Sequence, residues 1–316
     1  MIYFFNSTGN FGSDKMRCTH ILEHLNTKNI NTVVVPQSSK SFIDKVKDIK
    51  NSKTFWIKTI EENALKTSKK NNNCNIYDCV DNYVYNKNKL IHCIKSNLLD
   101  IIIVNNNFMK LEIEKMNENI KVIVIYHHYD PIYKTIPVYE PETFTFGYIG
   151  SLASLNHSEN FRFHKELGKE FNIVFLDSED GKYYNISALP QSGKPQKQLD
   201  NIEIKFHCHI SIRKLNSDLS KYKTSAKLAT SCAFRQNILT TNEECIRDLL
   251  PPEYPFILLD DDLKSIKQMM NKIVNDYNSN KVLWNKGLEI INDVRKHLDL
   301  ENSIGKSYEK IISNDF

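Results

Sequence analysis

Short runs of β-branched and aromatic residues alternate with segments of helical period through the first part of the chain. The apolar runs cover 2–5, 32–35, 54–57, 75–77, 100–104 and 122–126; segments with a helical spacing of apolar positions cover 14–25, 42–49, 60–67, 87–96 and 108–116. Strands and helices in strict alternation predict βαβ units, and hence a parallel sheet with right-handed crossovers. The stretch 129–143 breaks the pattern, because Pro131, Pro137 and Pro141 each fix φ and restrict the preceding residue; it reads as an interdomain linker. The alternation then restarts, with strands expected at 145–149, 173–176, 202–212, 237–239 and 256–258 and helices at 158–170 and 225–234. Between them, 178–200 is rich in Gly, Ser, Pro and Lys and reads as a surface loop. Amphipathic helices at 263–277, 281–298 and 303–312 close the chain. The fold class is therefore α/β, with two Rossmann-like domains over 1–135 and 136–302. Open parallel sheets bind ligands outside the carboxyl ends of their strands, which directs attention to a cleft between the domains.

Length agrees with two domains, since 316 residues exceed one ordinary α/β core. A hydrophobic content of 41% with 25% charged residues is that of a globular protein, and no apolar run approaches the length of a membrane span. The first residues lack the basic and apolar regions of a signal peptide. The seven cysteines, odd in number and without a Cys-x-x-Cys pair, predict reduced thiols in the cytoplasm and neither a disulfide framework nor a zinc site. The sequons at Asn6, Asn156 and Asn185 are then expected to stay unmodified. A net charge of +4, spread over both halves, is too diffuse for nucleic acid and suits a small anionic ligand. Asn and Lys are over-used at the expense of Arg and Gly, as in an AT-rich genome, so each Arg and Gly that is present carries information.

Two of the nine glycines, Gly9 and Gly12, flank Asn10 and Phe11 between the first strand and the first helix. This turn could bring backbone close to a phosphate or sugar hydroxyl, or be a plain βα turn. Its counterpart in the second half is Gly147-Tyr148-Ile149-Gly150-Ser151, where Gly150 permits a tight turn and Ser151 offers a hydroxyl and an N–H. The richest stretch runs from Arg213, at the end of an expected strand, to Lys223, Thr224, Ser225, Lys227 and Thr230 around a helix start. An arginine fork, lysine point charges, hydroxyls and free helix N–H groups together suit a diphosphate; a solvated basic loop is the plainer reading. Asp78 and Asp81 follow a strand and could hold a sugar hydroxyl or act as a base, or cap a helix. His127 and His128 have no matching ligand set and read as structural, and Asp260, Asp261 and Asp262 read as an acidic helix start, so no metal site is expected.

The segments around Asp100–Asn105 and Lys121–Asp130, the opening Phe146-Gly-Tyr-Ile-Gly-Ser151, and Ile210-Ser-Ile-Arg213 with Lys223–Leu228 and Asn237–Thr240 resemble the glycosyltransferase group 1 or family 4 type, with the GT-B fold. The resemblance spans nearly the whole chain. It implies an enzyme that moves a sugar from a nucleotide-diphosphate donor to a glycan or small-molecule acceptor, with retention of configuration and without a metal or other cofactor. It also implies that the segment 303–316 returns toward the first domain. By the same resemblance Arg213 and Lys227 neutralise the leaving diphosphate; Asp81, from its place after a strand, is a further catalytic candidate. Gly150, Ser151, Lys223, Thr224, Ser225 and Thr230 contact the donor; Gly9, Asn10, Phe11, Gly12 and Asp78 face the acceptor or sugar. The sequence departs from the family pattern at Thr230, where an acid is usual, and at Arg235 and Asn237, where Gly and Pro are usual. An inactive nucleotide- or glycan-binding relative and a sugar-nucleotide epimerase of the same architecture are the alternatives.

Overall fold

The computed structural model of the chain describes residues 1–6, 15–37, 42–80, 83–151, 161–177, 182–189, 202–215, 218–224 and 226–314. Packing divides the chain into two units: Met1–His128 with Lys221–Thr224 and His297–Phe316, and Tyr129–Ser220 with Ser225–Lys296. The division thus differs from a boundary at 135/136. Residues after Tyr129 are packed into the second unit: Tyr133 lies against Phe234, with ring centroids 5.1 Å apart, and Ile136 joins the same core.

In the first unit β1 (Ile2–Asn6) leads through a π-helical turn (Lys15–Thr19) into α1 (His20–Thr27). There follow β2 (Thr32–Pro36), α2 (Phe42–Asp48), β3 (Lys53–Ile57), α3 (Glu62–Lys70), β4 (Cys74–Asp78), α4 (Tyr83–Lys95), β5 (Ile101–Val104), α5 (Asn107–Glu114) and β6 (Lys121–Val124). The six strands are all parallel, in the order β2-β1-β3-β4-β5-β6. The central strands are mostly apolar because both faces are covered, and the polar residues within them, Thr54, Asn75 and Asp78, are buried. One face, with Phe5, Trp56, Tyr77 and Ile102, packs on α2 to α5; the other, with Phe4, Phe55, Ile76 and Ile103, packs on α1 and on Tyr308 and Ile311 near the end of the chain. Register brings Phe4 opposite Phe55, and their rings stack with centroids 4.6 Å apart. Lys221–Thr224 is tied to this unit by the Asn105 and Asn106 side-chain amides, which donate to Tyr222 O (3.2 Å) and Lys221 O (3.1 Å).

The second unit contains a 3-10 turn (Pro131–Thr135), β7 (Phe146–Gly150), α6 (Phe161–Leu167), β8 (Ile173–Asp177), β9 (Tyr183–Asn185), β10 (Cys208–Ser211), the start of α7 (Asp218–Tyr222, whose last two residues belong to the first unit), α8 (Ala226–Phe234), β11 (Ile238–Thr241), α9 (Glu244–Arg247) and β12 (Ile257–Leu258). It continues with α10 (Leu263–Asn278) and α11 (Val282–His297), and the chain ends on α12 (Gly305–Ser313) in the first unit. The sheet order is β12-β11-β10-β7-β8-β9, parallel except for β9. Two expectations need correction. The stretch read as a loop contains β9, a three-residue antiparallel edge strand paired with β8. The strand expected over 202–212 enters the sheet only at Cys208; Ile202, Ile204 and Phe206 alternate as a strand would, but Ile204 pairs with the segment at Val138 instead, donating to Pro137 O (2.9 Å) and accepting from Tyr139 N (2.8 Å). Gly147 is required beneath this segment, since a Cβ there would fall inside the Phe206 ring. Asp262 caps α10, accepting from the N–H groups of Lys264 (2.9 Å) and Ser265 (3.0 Å), so the acidic cluster there is a helix start. Among the described residues no helix is long and apolar enough to cross a membrane.

Candidate functional site

The winding of the second sheet singles out one place. From β7 the chain passes to β8 on one side and later returns to β10 on the other, so the carboxyl ends of β7 and β10 form a topological switch point, where open α/β sheets receive ligands. Four elements deliver side chains there: β7 ends in Tyr148, Ile149 and Gly150; β10 runs into Arg213; β11 runs into Glu243; and α8 opens with Ala226 and Lys227.

Lys227 is held by two contacts. Its Nζ donates to Ile149 O at 2.6 Å and lies 3.8 Å from the centroid of the Tyr148 ring, a cation–π geometry. Burial lowers its pKa from the ordinary lysine value; Tyr148 opposes the shift and the Arg213 charge adds to it. Gly150 makes room for this amine, because a Cβ at 150 would stand 3.1 Å from Nζ and 3.0 Å from Tyr148 Cε1. Arg213 donates through Nη1 to Glu243 Oε2 at 2.6 Å, with side-chain exposures of 27% for the arginine and 1% for the glutamate. Burial works against the guanidinium charge, but the Glu243 carboxylate outweighs it and the pKa is raised. A second connection closes a ring: Arg213 N donates to Thr241 Oγ1 (3.0 Å), which donates to Glu243 Oε1 (3.2 Å).

The structure sets Lys227 against Gly150, with Ser151 next in the chain and the Arg213 charge acting on Lys227, and places most other candidates elsewhere. Thr230 lies one turn into α8, its hydroxyl donating to Ala226 O at 2.9 Å. Ser151 follows Gly150 and is half-buried. Lys223 and Thr224 pack with the first unit. Gly9, Asn10, Phe11, Gly12, Asp81 and Ser225 lie outside the described residues. Asp78 is corrected to an interior role. It is fully buried, accepting from Tyr308 Oη through Oδ2 (2.6 Å) and from Val80 N through Oδ1 (3.2 Å), with Arg17 Nη1 at 3.9 Å. His128 is also interior, 3.1 Å from His20 Nδ1, and among the described residues no group of three or more His, Cys, Asp or Glu is arranged to hold a metal. Sequence reading missed Glu243 and Tyr148. Glu243 was detectable in principle as an acid two residues past an apolar strand, but its pairing with Arg213 depends on β11 lying beside β10.

Below the site, His209 points its ring between Phe206 and Phe234, at centroid distances of 4.8 and 5.9 Å. Burial, reinforced by the Lys227 charge and opposed by Gln236, pushes its pKa down to about 3. The native state therefore holds this ring neutral, and its contribution to stability is complete above the ordinary pKa near 6.5 and is lost as pH falls from there toward 3. At pH 5 the loss from this one group is about 2 kcal/mol. Urea unfolding of the wild type and of His209→Phe at pH 7.5 and pH 5 checks this: the wild type should lose that much more than the variant, and equal losses would remove His209 from the account.

No protein-family model matches the chain, and no curated protein matches it. Solved structures do, over nearly its whole length. HepE from Anabaena, in complex with UDP-glucose, is 10% identical with a TM-score of 0.60, covering 99% of each chain. A glycosyltransferase from Rickettsia africae ESF-5 is 10% identical with a TM-score of 0.60, covering 99% of this chain and 97% of the other. An α,α-trehalose-phosphate synthase (UDP-forming) from Burkholderia vietnamiensis is 6% identical with a TM-score of 0.61, covering 99% of each chain. The chain thus has the fold of the GT-B glycosyltransferases.

Proposed function

We propose that this protein is a glycosyltransferase that moves a sugar from a nucleotide-diphosphate donor to a glycan or small-molecule acceptor, and that the diphosphate sits at the β7–β10 switch point. The observation that carries the reading is Lys227 held against the Gly150 turn with the Arg213 charge close enough to act on it, two cations from different elements at the strand ends where this sheet winding binds ligands. The likeness of fold to HepE, solved with UDP-glucose, supports a nucleotide-sugar donor. Arg213 offers N–H groups in a planar fork suited to phosphate oxygens, and Lys227 a desolvated point charge. These two cations take the part a divalent ion would take at the leaving group, so the proposed transfer is metal-independent, and by the family resemblance it is retaining. Gly150 and Ser151 line the turn on the donor side.

Calorimetry with UDP, GDP, ADP and their sugars tests the reading. One nucleotide diphosphate should bind, and Arg213→Lys, which keeps the charge but not the fork, should weaken it by about 1.5–3 kcal/mol, the scale of a hydrogen bond to a charged group. Lys272→Ala, on the exposed surface of α10, should change nothing. Sugar transfer by the wild type should persist in chelator. Absence of binding by every nucleotide diphosphate would overturn the proposal, and binding without transfer to any acceptor or water would mark a nucleotide-binding protein instead.

A further inference from the structure

Arg213 is not simply a cation at a strand end. Its backbone N–H, the Thr241 hydroxyl, the Glu243 carboxylate and its own guanidinium form a closed cycle of hydrogen bonds at 3.0, 3.2 and 2.6 Å across the ends of β10 and β11. Both carboxylate oxygens of Glu243 are engaged, and the carboxylate is almost wholly removed from water while the guanidinium is part-exposed. A carboxylate so placed beside a proposed anion site has two opposite effects. It repels a bound diphosphate, and it holds one N–H of the fork so that the remaining donors keep a fixed direction.

We infer that the second effect dominates, and that Glu243 is a positioning residue which orients Arg213 for phosphate. The inference rests on the proposed diphosphate site. A long arginine side chain loses rotamer freedom on binding, and that cost is smaller when the fork is pre-ordered. The buried carboxylate supplies that order, and Thr241 braces the carboxylate in turn. Nothing in this cycle requires Glu243 to touch the donor.

The sign of one measurement separates the two effects. Glu243→Gln is close to isosteric and makes the site more positive. A repelling bystander would therefore give tighter UDP binding in this variant, and a positioning residue weaker binding. We expect affinity for UDP, or for whichever nucleotide diphosphate the wild type binds, to fall about tenfold. In an Arg213→Lys background the same change should give no further loss, because the fork it orients is already gone. Thr241→Val, which leaves both charges in place, should weaken binding in the same direction and serves if Glu243→Gln fails to fold. Unchanged or tighter binding in Glu243→Gln, or in Thr241→Val where that variant stands in for it, would overturn the inference. So would an undiminished loss in the Arg213→Lys background. Failure of the wild type to bind any nucleotide diphosphate would instead overturn the site on which it rests.

Discussion

Replacing Arg17 by methionine is expected to destabilise the first unit by about 3–5 kcal/mol, the scale for breaking a buried ion pair from one side. Arg17 has no solvent exposure. Its Nη2 donates to Ile125 O at 2.6 Å, and Nη1 lies 3.4 Å from Tyr308 Oη and 3.9 Å from Asp78 Oδ2. One guanidinium thus links β4, the end of β6 and α12 around an interior carboxylate. Without it Asp78 keeps donors from Tyr308 and Val80 but loses its counter-charge. Burial, then the neighbouring Asp78, hold the Tyr308 phenol well above its ordinary pKa, so it stays a neutral donor to the carboxylate and brings no positive charge to replace the guanidinium. Asp78→Asn in the Arg17→Met background should recover part of the loss by removing the orphaned charge. Urea unfolding that placed Arg17→Met within about 1 kcal/mol of wild type would show that the pair is not the tie described.

The second large effect concerns turnover. In the proposed transferase, Lys227→Met should lower kcat by about two to three orders of magnitude, as removal of a preorganised electrostatic group does. Methionine keeps an apolar stem over Tyr148 but removes the charge that Ile149 O and the aromatic ring hold in place. Charge on the leaving diphosphate grows toward the transition state, so kcat should fall more than nucleotide affinity. Since the Lys227 pKa lies below the ordinary lysine value, wild-type activity should decline at a lower pH on the alkaline side than an exposed lysine would give. Steady-state kinetics across alkaline pH measure both. A variant with wild-type kcat would place the leaving group elsewhere.

How far these features were readable depended on the distance over which each is determined. The first sheet was legible strand by strand, because strands buried on both faces are dominated by apolar, β-branched and aromatic residues. The edge strand β9 was not, for three residues in a Gly- and Ser-rich stretch take their register from β8. Ile202, Ile204 and Phe206 showed the correct alternation, yet the partner was the proline-rich segment, which no local pattern announces. Scarcity of arginine directed attention to Arg213 but not to Arg17, whose partners lie 61, 108 and 291 positions away in sequence. Asp78 illustrates the limit most plainly: an acid at a strand end suggests a ligand, and only the returning chain reveals that it faces Tyr308.

That return also sets the order in which the protein can be completed. One face of the first sheet, with Phe4, Phe55, Ile76 and Ile103, is closed by Tyr308 and Ile311. Its six strands are synthesised by residue 124, whereas α12 begins at residue 305. At about 5–20 residues per second, that face waits roughly 10–35 s for its cover. A nonsense or frameshift change that removes residues 305–313 therefore strikes a unit whose strands were made long before, and leaves part of an apolar sheet face open to chaperones, proteases or another nascent chain.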